Sequence, residues 1–516
     1  MSSNFSFETV GDSLRVVEGL SWAQLALGLA GLTITWYLIS SVVAWNKLRH
    51  IPGPFFASFS DIWCWWVVYS GRSHIVLKAE HEKHGDLWRV APTGVATSDP
   101  ETIIRINAAR SPYTRGSWYG GARIDPHGDS LITELDSTKH GKRKSKLATG
   151  FSGKNLSLLE AGVDKWIAVL MRSIRAKIEK GDETIDIGKL IQYFQVDMIA
   201  EIEMGSAWGN LHDDVDHFGY LKMSDFVVPA VQAFAFLPLA RTIITSSWFM
   251  NRFGPSPTDT KGLGLFLGIV EKEVKSRFEN STGTVKESCD LLDEWVKHGI
   301  SPTEAQYDLS LMIPAGTETS VMMMRGTLLL LMSSPAVYQR LKQEIREGIA
   351  DGRISTPVTN EESKSLEYTQ AVLREGLRLM TPINFGFPKR VPETGDTING
   401  IFLPAGTDVY LNFSGMMRRK EVFGDDVEVF RPERFLSGGP EVANMIRVVD
   451  AVFGGGRFMC LGKVLAIQEI NKIFVELFRY FDFQIATPEK PWRRNSYTTW
   501  TVYDFLARIT EDKTMA

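Results

Sequence analysis

Positions 19–45 of the chain contain no charged residue. Roughly 20 consecutive apolar residues suffice to cross the hydrocarbon core of a bilayer, so this run predicts a tilted single-pass transmembrane helix. A cleaved signal peptide would have a shorter apolar core behind a basic front. Here Glu8, Asp12 and Glu18 stand against Arg15 ahead of the run. Lys47, Arg49 and His50 follow it, and the positive-inside rule then leaves the rest of the chain cytosolic. Trp36, Tyr37 and Trp45 lie within the span or at its edges. The next residues, Ile51-Pro52-Gly53-Pro54, cannot continue a helix. The expected organisation is a lumenal segment and anchor over 1–50, a hinge over 51–54 and one catalytic body over 55–516.

The body has globular composition. Hydrophobic residues make up 44% and charged residues 23% of 516, which excludes a disordered or collagen-like chain. A net charge of −4 lacks the basic field of a nucleic-acid binder. Three cysteines (Cys64, Cys289 and Cys460) exclude a disulfide scaffold. Helical periodicity runs through 158–180, 264–278, 303–333, 335–350 and 363–380. Asn399-Gly400 between β-formers predicts a hairpin over 396–406. No internal repeat or low-complexity tract interrupts the body. The expected fold is mainly α with small β-sheets. A second apolar run, 226–240, contains Pro229 and Pro238 and is too short to span. It is either buried core or a segment dipping into the membrane surface near a substrate entrance.

Three segments carry chemistry. In Phe453-Gly454-Gly455-Gly456-Arg457-Phe458-Met459-Cys460-Leu461-Gly462 a cysteine follows a glycine-rich loop and precedes a helical stretch, Lys463–Tyr480. Glycines let backbone approach a bulky group, and N–H groups at a helix start stabilise a thiolate. A haem iron asks this of a cysteine ligand. The loop lacks the Lys-Ser/Thr ending of a phosphate loop. Cys64 and Cys289 read as small buried apolar residues. Glu375 and Arg378, three apart, share one helix face, as an ordinary ion pair also would. Ala315-Gly316-Thr317-Glu318-Thr319-Ser320 sits inside a long helix, where Pro314 removes one N–H and predicts a kink. Small residues for packing and a hydroxyl bonded back to its own backbone give this stretch a second reading.

With these segments, and with Pro432-Glu433-Arg434-Phe435, the chain resembles the cytochrome P-450 family of haem-thiolate monooxygenases. Phe453, Gly456, Cys460 and Gly462 fit the family's Phe-x-x-Gly…Cys-x-Gly pattern. The resemblance implies the cytochrome P-450 fold and haem b, with Cys460 as axial ligand of the iron. It implies that Gly316 opens room for O2, that Thr319 faces that oxygen, and that Glu318 relays protons. It implies a buried charge cluster of Glu375, Arg378 and Arg434 behind the haem. His140 and Lys144 stand where the family has Trp and Arg, Arg390 fits a propionate-binding position, and Arg457 comes one residue before the usual arginine, which is Phe458 here. The run Lys139, Lys142, Arg143, Lys144 and Lys146 would dock an acidic, NADPH-dependent flavoprotein reductase. The other implied partners are O2, an apolar small-molecule substrate and the lipid of the endoplasmic reticulum membrane. The hinge, Cys460-Leu461-Gly462-Lys463 and Glu489-Lys490-Pro491-Trp492 are similar to filamentous-fungal members that tailor terpenoid or polyketide secondary metabolites. Of the sequons at Asn4, Asn155, Asn280 and Asn412, only Asn4 would face the lumen. Two rival functions are a haem-thiolate isomerase or dehydratase working without O2, and a non-catalytic membrane haem-binding sensor. The adjacent Glu318 and Thr319 argue against the first, and a sensor, which needs the cysteine but no proton relay, would give no turnover of NADPH with reductase.

Overall fold

A computed structural model describes residues 21–153, 155–280 and 290–514. The acidic front end, Asn4 and Cys289 lie outside the described residues. The uncharged run forms helix α1 (Trp22–Leu48), opened by a capping box between Ser21 and Gln24. Leu27, Leu32, Trp36 and Leu38 on it are exposed. The side chains at 23, 25, 26, 29 and 30 lie outside the description. Among the described residues no single helix is long and apolar enough to cross a membrane.

The chain then turns sharply at Ile51–Pro54 because Gly53 abuts Arg89. A Cβ at Gly53 would come within 2.5 Å of the Arg89 carbonyl oxygen. Arg89, in strand β1 (Leu87–Ala91), is 1% exposed. Its guanidinium donates to the carbonyl oxygens of Ala44 and Trp45, both at 3.1 Å, and of Pro92 at 2.7 Å. Burial pulls its pKa down to about 10. A buried cation thus fastens the carbonyl end of α1 to the sheet, the end where the helix dipole favours positive charge.

That sheet has the order β1-β2-β7-β4-β3. Its other strands are β2 (Gly94–Thr97), β3 (Thr114–Arg115), β4 (Phe385–Arg390) and β7 (Asp408–Asn412). Only the β2–β7 pair is parallel. The predicted hairpin forms as β5 (Asp396–Ile398) and β6 (Ile401–Leu403). Asn399 and Gly400 turn it with φ of 51° and 77°, the left-handed pair that a two-residue hairpin loop needs.

A three-stranded sheet (Ile185–Asp186, Leu506–Glu511 and Phe481–Ile485) and a two-stranded one (Arg493–Ser496 and Trp500–Tyr503) complete the β-structure, and helices make most of the rest of the body. α2 is Ser137–Leu147, α3 Asn155–Lys180, α4 Ile187–Met204, α5 Tyr220–Phe234 and α6 Pro238–Ile244. They are followed by α7 (Gly262–Asn280), α8 (Pro302–Met332) and α9 (Pro335–Ala350). α8 runs helically through Pro314. The helix expected over 363–380 is instead two, α10 (Asn360–Lys364) and α11 (Glu367–Leu379). The break falls at Leu366, which adopts extended backbone with its side chain wholly buried. α12 is Lys463–Tyr480. α4 is buried on nearly every side and packs against α8, so it lacks the polar face of a surface helix. The run 226–240 forms the end of α5 and the start of α6. Pro229, Ala233, Ala235 and Phe236 are buried, while Phe226 and Leu239 are exposed. One side of the run is core and the other faces outward, alongside exposed Trp248 and Phe253.

Candidate active site

The cysteine loop is shaped by its glycines. Gly454 and Gly456 take φ of +70° and +53°. A Cβ at Gly456 would lie 2.5 Å from the Ala109 Cα, so only glycine lets the loop press on that segment. The Cys460 N–H donates to the Phe453 carbonyl at 2.7 Å, aiming the residue just ahead of α12. Burial pushes the Cys460 thiol up, while the N–H groups of Gly462 and Lys463 and the cations of Lys144 and Lys463 oppose it.

Cys460 opens into a cavity of about 320 Å³. Its walls are mainly apolar, including Ile132, Leu311, Met312, Ile383 and Phe387. Gly316, Thr319 and Ser320 of α8 line the same cavity, as do Gly454 and Gly462. A Cβ at Gly316 would meet Ile199 Cδ1 at 3.2 Å. A Cβ at Gly462 would meet no protein atom within 4 Å.

The cavity also carries a cationic cluster of Arg115, His140, Lys144 and Lys389. Arg115 donates to the carbonyls of Leu131 and Glu134 at 2.8 and 2.9 Å, and to His140 Nε2 at 3.1 Å. A guanidinium only donates, so Nε2 must accept and the proton of neutral His140 sits on Nδ1. That Nδ1 is buried without a partner. Burial, then the surrounding cations, pull His140 down to about 3. Lys144 Nζ donates to the carbonyls of Arg457 and Met459 at 2.9 and 2.8 Å. Lys389 Nζ stands 3.9 Å from the Phe458 ring centroid, a cation–π contact. Burial and the neighbouring cations hold Lys389 well below the usual lysine range. Among the described residues no carboxylate pairs with Arg115, Lys144 or Lys389.

Two expected propionate ligands are placed elsewhere. Arg390 faces away from the cavity and pairs with Asp408 at 3.0 Å. Lys389 takes the inward place because β4 has a bulge between Gly386 and Lys389, with Phe387 at φ 49°, which shifts the alternation of faces. Arg457 does not line the cavity. Its guanidinium donates to the Ser111 carbonyl at 2.8 Å, although its charge adds to the field on His140 and Lys389. The basic run over 139–146 also divides. Arg143 is buried against Asp308 at 2.6 Å and Lys146 reaches Glu304 at 3.4 Å, leaving Lys139 and Lys142 exposed.

On α8 the two residues expected to handle protons diverge, as neighbours about 100° apart on a helix must. Thr319 lines the cavity, and its hydroxyl donates to the Ala315 carbonyl at 2.8 Å. Glu318 does not line it. Its carboxyl accepts from Gln192 Nε2 at 3.4 Å and is pushed up to about 7 by burial, with Asp225 adding and Arg325 opposing. Two acids that sequence reasoning passed over do line the cavity, Glu203 of α4 and Glu469 of α12. Glu469 accepts from Gln195 Nε2 at 3.0 Å, and burial pushes it up to about 7. Nothing in the sequence marks them out, because both helices carry further acids, Asp197 and Glu201 on α4 and Glu476 on α12.

Behind the cavity, Arg378 grips Glu375 with Nε–Oε2 at 2.7 Å and Nη2–Oε1 at 2.8 Å. Arg434 Nε reaches Glu375 Oε1 at 3.0 Å, and all three side chains are at most 1% exposed.

These residues fit haem b. A thiol opens into an apolar cavity, open space lies over Gly462, and a set of cations with an unpartnered Nδ1–H awaits anions such as two propionates. The match to known proteins agrees. The family description "Cytochrome P450" fits residues 55–503. The chain is 36% identical over 473 residues to cytochrome P450 monooxygenase aba1 of Botryotinia fuckeliana, covering 90% of this chain and 92% of that one. It is 34% identical over 509 residues to ABA1 of Pyricularia oryzae, covering 96% and 99%. A pisatin demethylase of Fusarium vanettenii is 26% identical over 491 residues, covering 93% and 92%.

Proposed function

This chain belongs to the cytochrome P450 family and is a haem-thiolate monooxygenase, and from that premise we propose that it is anchored by α1 in the endoplasmic reticulum membrane, body in the cytosol, and oxidises an apolar molecule of fungal secondary metabolism, a terpenoid or polyketide. The observation that carries the substrate class is the apolar wall of the Cys460 cavity. Enzymes of this family use O2, a reductase and a small-molecule substrate; here the electrons would come from NADPH through a separate flavoprotein, with Lys139 and Lys142 on its docking face.

The haem supplies O2 activation when bound. The chain's own part is to hold and to feed it. Cys460 would ligate the iron, its sulfur steadied by the N–H groups of Gly462 and Lys463. Arg115, Lys144, Lys389 and the His140 Nδ1–H would hold the propionates. Leu311, Met312 and Phe387 exclude bulk water from the substrate. Glu318 and Glu469, each pushed up to about 7, can hold a proton near neutral pH and release it. Such equipment suits oxygen reduction, and neither an isomerase nor a sensor needs it.

The test pairs a spectrum with a product. Wild-type protein, reduced under carbon monoxide, should show the red-shifted Soret band of a thiolate ligand, and Cys460→Ser should lose it. A strain lacking the gene should accumulate an apolar metabolite that purified enzyme, reductase and NADPH convert to a product one oxygen atom heavier. A band that survives in Cys460→Ser would refute the ligand. Digestion of sealed microsomes should remove the body, and a protected body would reverse the topology.

A further inference from the structure

Arg115 and Lys389 stand directly opposite each other in the antiparallel pair β3–β4. Like charges placed so destabilise a sheet. Both side chains are buried, at 8% and 3% exposed, and burial strengthens their repulsion by removing water. A carboxylate between them would relieve it, but among the described residues none pairs with either. Two aromatic rings stand there instead. Tyr119 lies in the short turn Ser117–Gly121 that follows β3, and Phe458 in the turn Gly456–Phe458 ahead of Cys460. The central carbon of the Arg115 guanidinium is 5.0 Å from the Phe458 ring centroid and 5.1 Å from that of Tyr119. Lys389 Nζ is 3.9 Å from the Phe458 centroid and 5.5 Å from that of Tyr119. Each ring therefore meets both cations within the roughly 6 Å over which a ring face attracts positive charge. Arg115 also has the carbonyls of Leu131 and Glu134. Lys389 Nζ has no hydrogen-bond acceptor among the described residues, so the rings are its partners. All four side chains line the Cys460 cavity.

We propose that Tyr119 and Phe458 form an aromatic clamp that holds Arg115 and Lys389 in place for the haem propionates. The clamp presupposes the monooxygenase reading, which supplies the haem. Phe458 stands where the family's pattern has arginine, and the clamp gives that departure a purpose. A ring face attracts a cation through its quadrupole and carries no net charge. A carboxylate in the same place would neutralise the pair and repel an arriving propionate. The rings steady both cations and leave their charge for the ligand. An arginine at position 458 would add a third cation to a cross-strand pair that already repels. Tyr119 and Phe458 are positioning residues, because they touch the cations and act on the propionates only through them.

The experiment uses full-length holoenzyme and reads the rate of haem transfer to excess apomyoglobin, beside resonance Raman spectra of the propionate bending bands. Phe458→Leu keeps an apolar side chain and removes the ring. It should release haem about tenfold faster than the wild type, the size expected of two cation–π contacts, and should shift a propionate band. Phe458→Tyr keeps the ring and should match the wild type in both readouts. Phe458→Arg restores the family's residue and should nevertheless release haem faster than the wild type. A second background separates the clamp from plain packing. In Lys389→Met one of the two cations is gone, so the acceleration caused by Phe458→Leu should be at least about threefold smaller there. Equal acceleration in both backgrounds overturns the clamp, as does a Phe458→Arg protein that retains haem as well as the wild type. If Phe458→Leu takes up no haem, Tyr119→Leu replaces it in the same comparison, and equal acceleration there overturns the clamp instead. Wild-type protein whose reduced carbonyl complex lacks the red-shifted Soret band refutes the haem-thiolate reading itself, a result distinct from any behaviour of the variants.

Discussion

Glu375, Arg378 and Arg434 are buried as deeply as Arg115 and Lys389, yet the two sets follow opposite rules. In the first, a carboxylate meets two guanidiniums, and Arg378 also donates to the carbonyls of Met417 and Val427 at 2.9 and 2.7 Å. Asp426 reaches Arg434 Nη1 at 3.2 Å as the second carboxylate, so every charge has its counter-charge inside the protein. In the second, cations crowd one another around Phe458, and among the described residues no carboxylate pairs with them. Desolvating like charges together costs stability unless a ligand brings the missing charge. The balanced set therefore serves the fold, and the unbalanced set is shaped for what it binds.

The largest expected effect breaks the balanced set. Arg378→Ala leaves Glu375 buried with one partner and should cost about 3–5 kcal/mol, read by chemical denaturation. A loss under about 1 kcal/mol would mean that the cluster is dispensable. Next, Lys389→Met should act in opposite senses on the two forms. Apoprotein should gain about 1–2 kcal/mol, because an unpaired buried cation disappears, while the rate of haem loss should rise. If both forms lose stability, the cations are balanced by something other than a ligand.

A smaller effect comes through pH. His140 has a folded pKa of about 3 against an ordinary 6.5. Between those values the unfolded chain binds a proton that the folded apoprotein refuses, so stability is full above about 6.5 and declines as pH falls toward 3. His140→Phe should flatten that component in an acid titration of apoprotein, and an unchanged slope would clear His140 of it. The smallest effect concerns Arg390→Gln. On a partly exposed pair with Asp408, it should change stability by less than about 1 kcal/mol and leave haem retention as in the wild type. Haem loss matching that of Lys389→Met would return Arg390 to the site.

The contrast also separates what was legible from what was not. α9 and α12 follow from apolar periodicity, and both have the bounds that the pattern gives. The Glu375 cluster was legible only through the family resemblance of two short motifs, since the spacing of Glu375 and Arg378 alone equally fits a surface ion pair. The cation set was legible only in part. His140 and Lys144 lie on a helix, where spacing converts directly into a face. Lys389 and Arg390 lie beside a bulge, where one extra residue swaps inside for outside. Arg115 sits in a two-residue strand too short to show any period. Glu203 lines the cavity only through packing of α4 on α8, a contact that no local pattern encodes.

Arg89 gives α1 a mechanical character. Its bonds to Ala44 and Trp45 close over the last turn of the helix, and the Gly53 contact leaves no slack beneath them. A helix of 27 residues at 1.5 Å each is a rod of about 40 Å. Clamped at one end, it is a lever and not a tether. A sideways load on Trp22 arrives at β1 as torque, and spinning the rod about its axis would tear both bonds. The orientation of the Cys460 cavity relative to α1 is therefore held by that guanidinium and that glycine together with the Tyr37 hydroxyl on the Phe59 carbonyl at 3.2 Å and the buried Leu48 side chain.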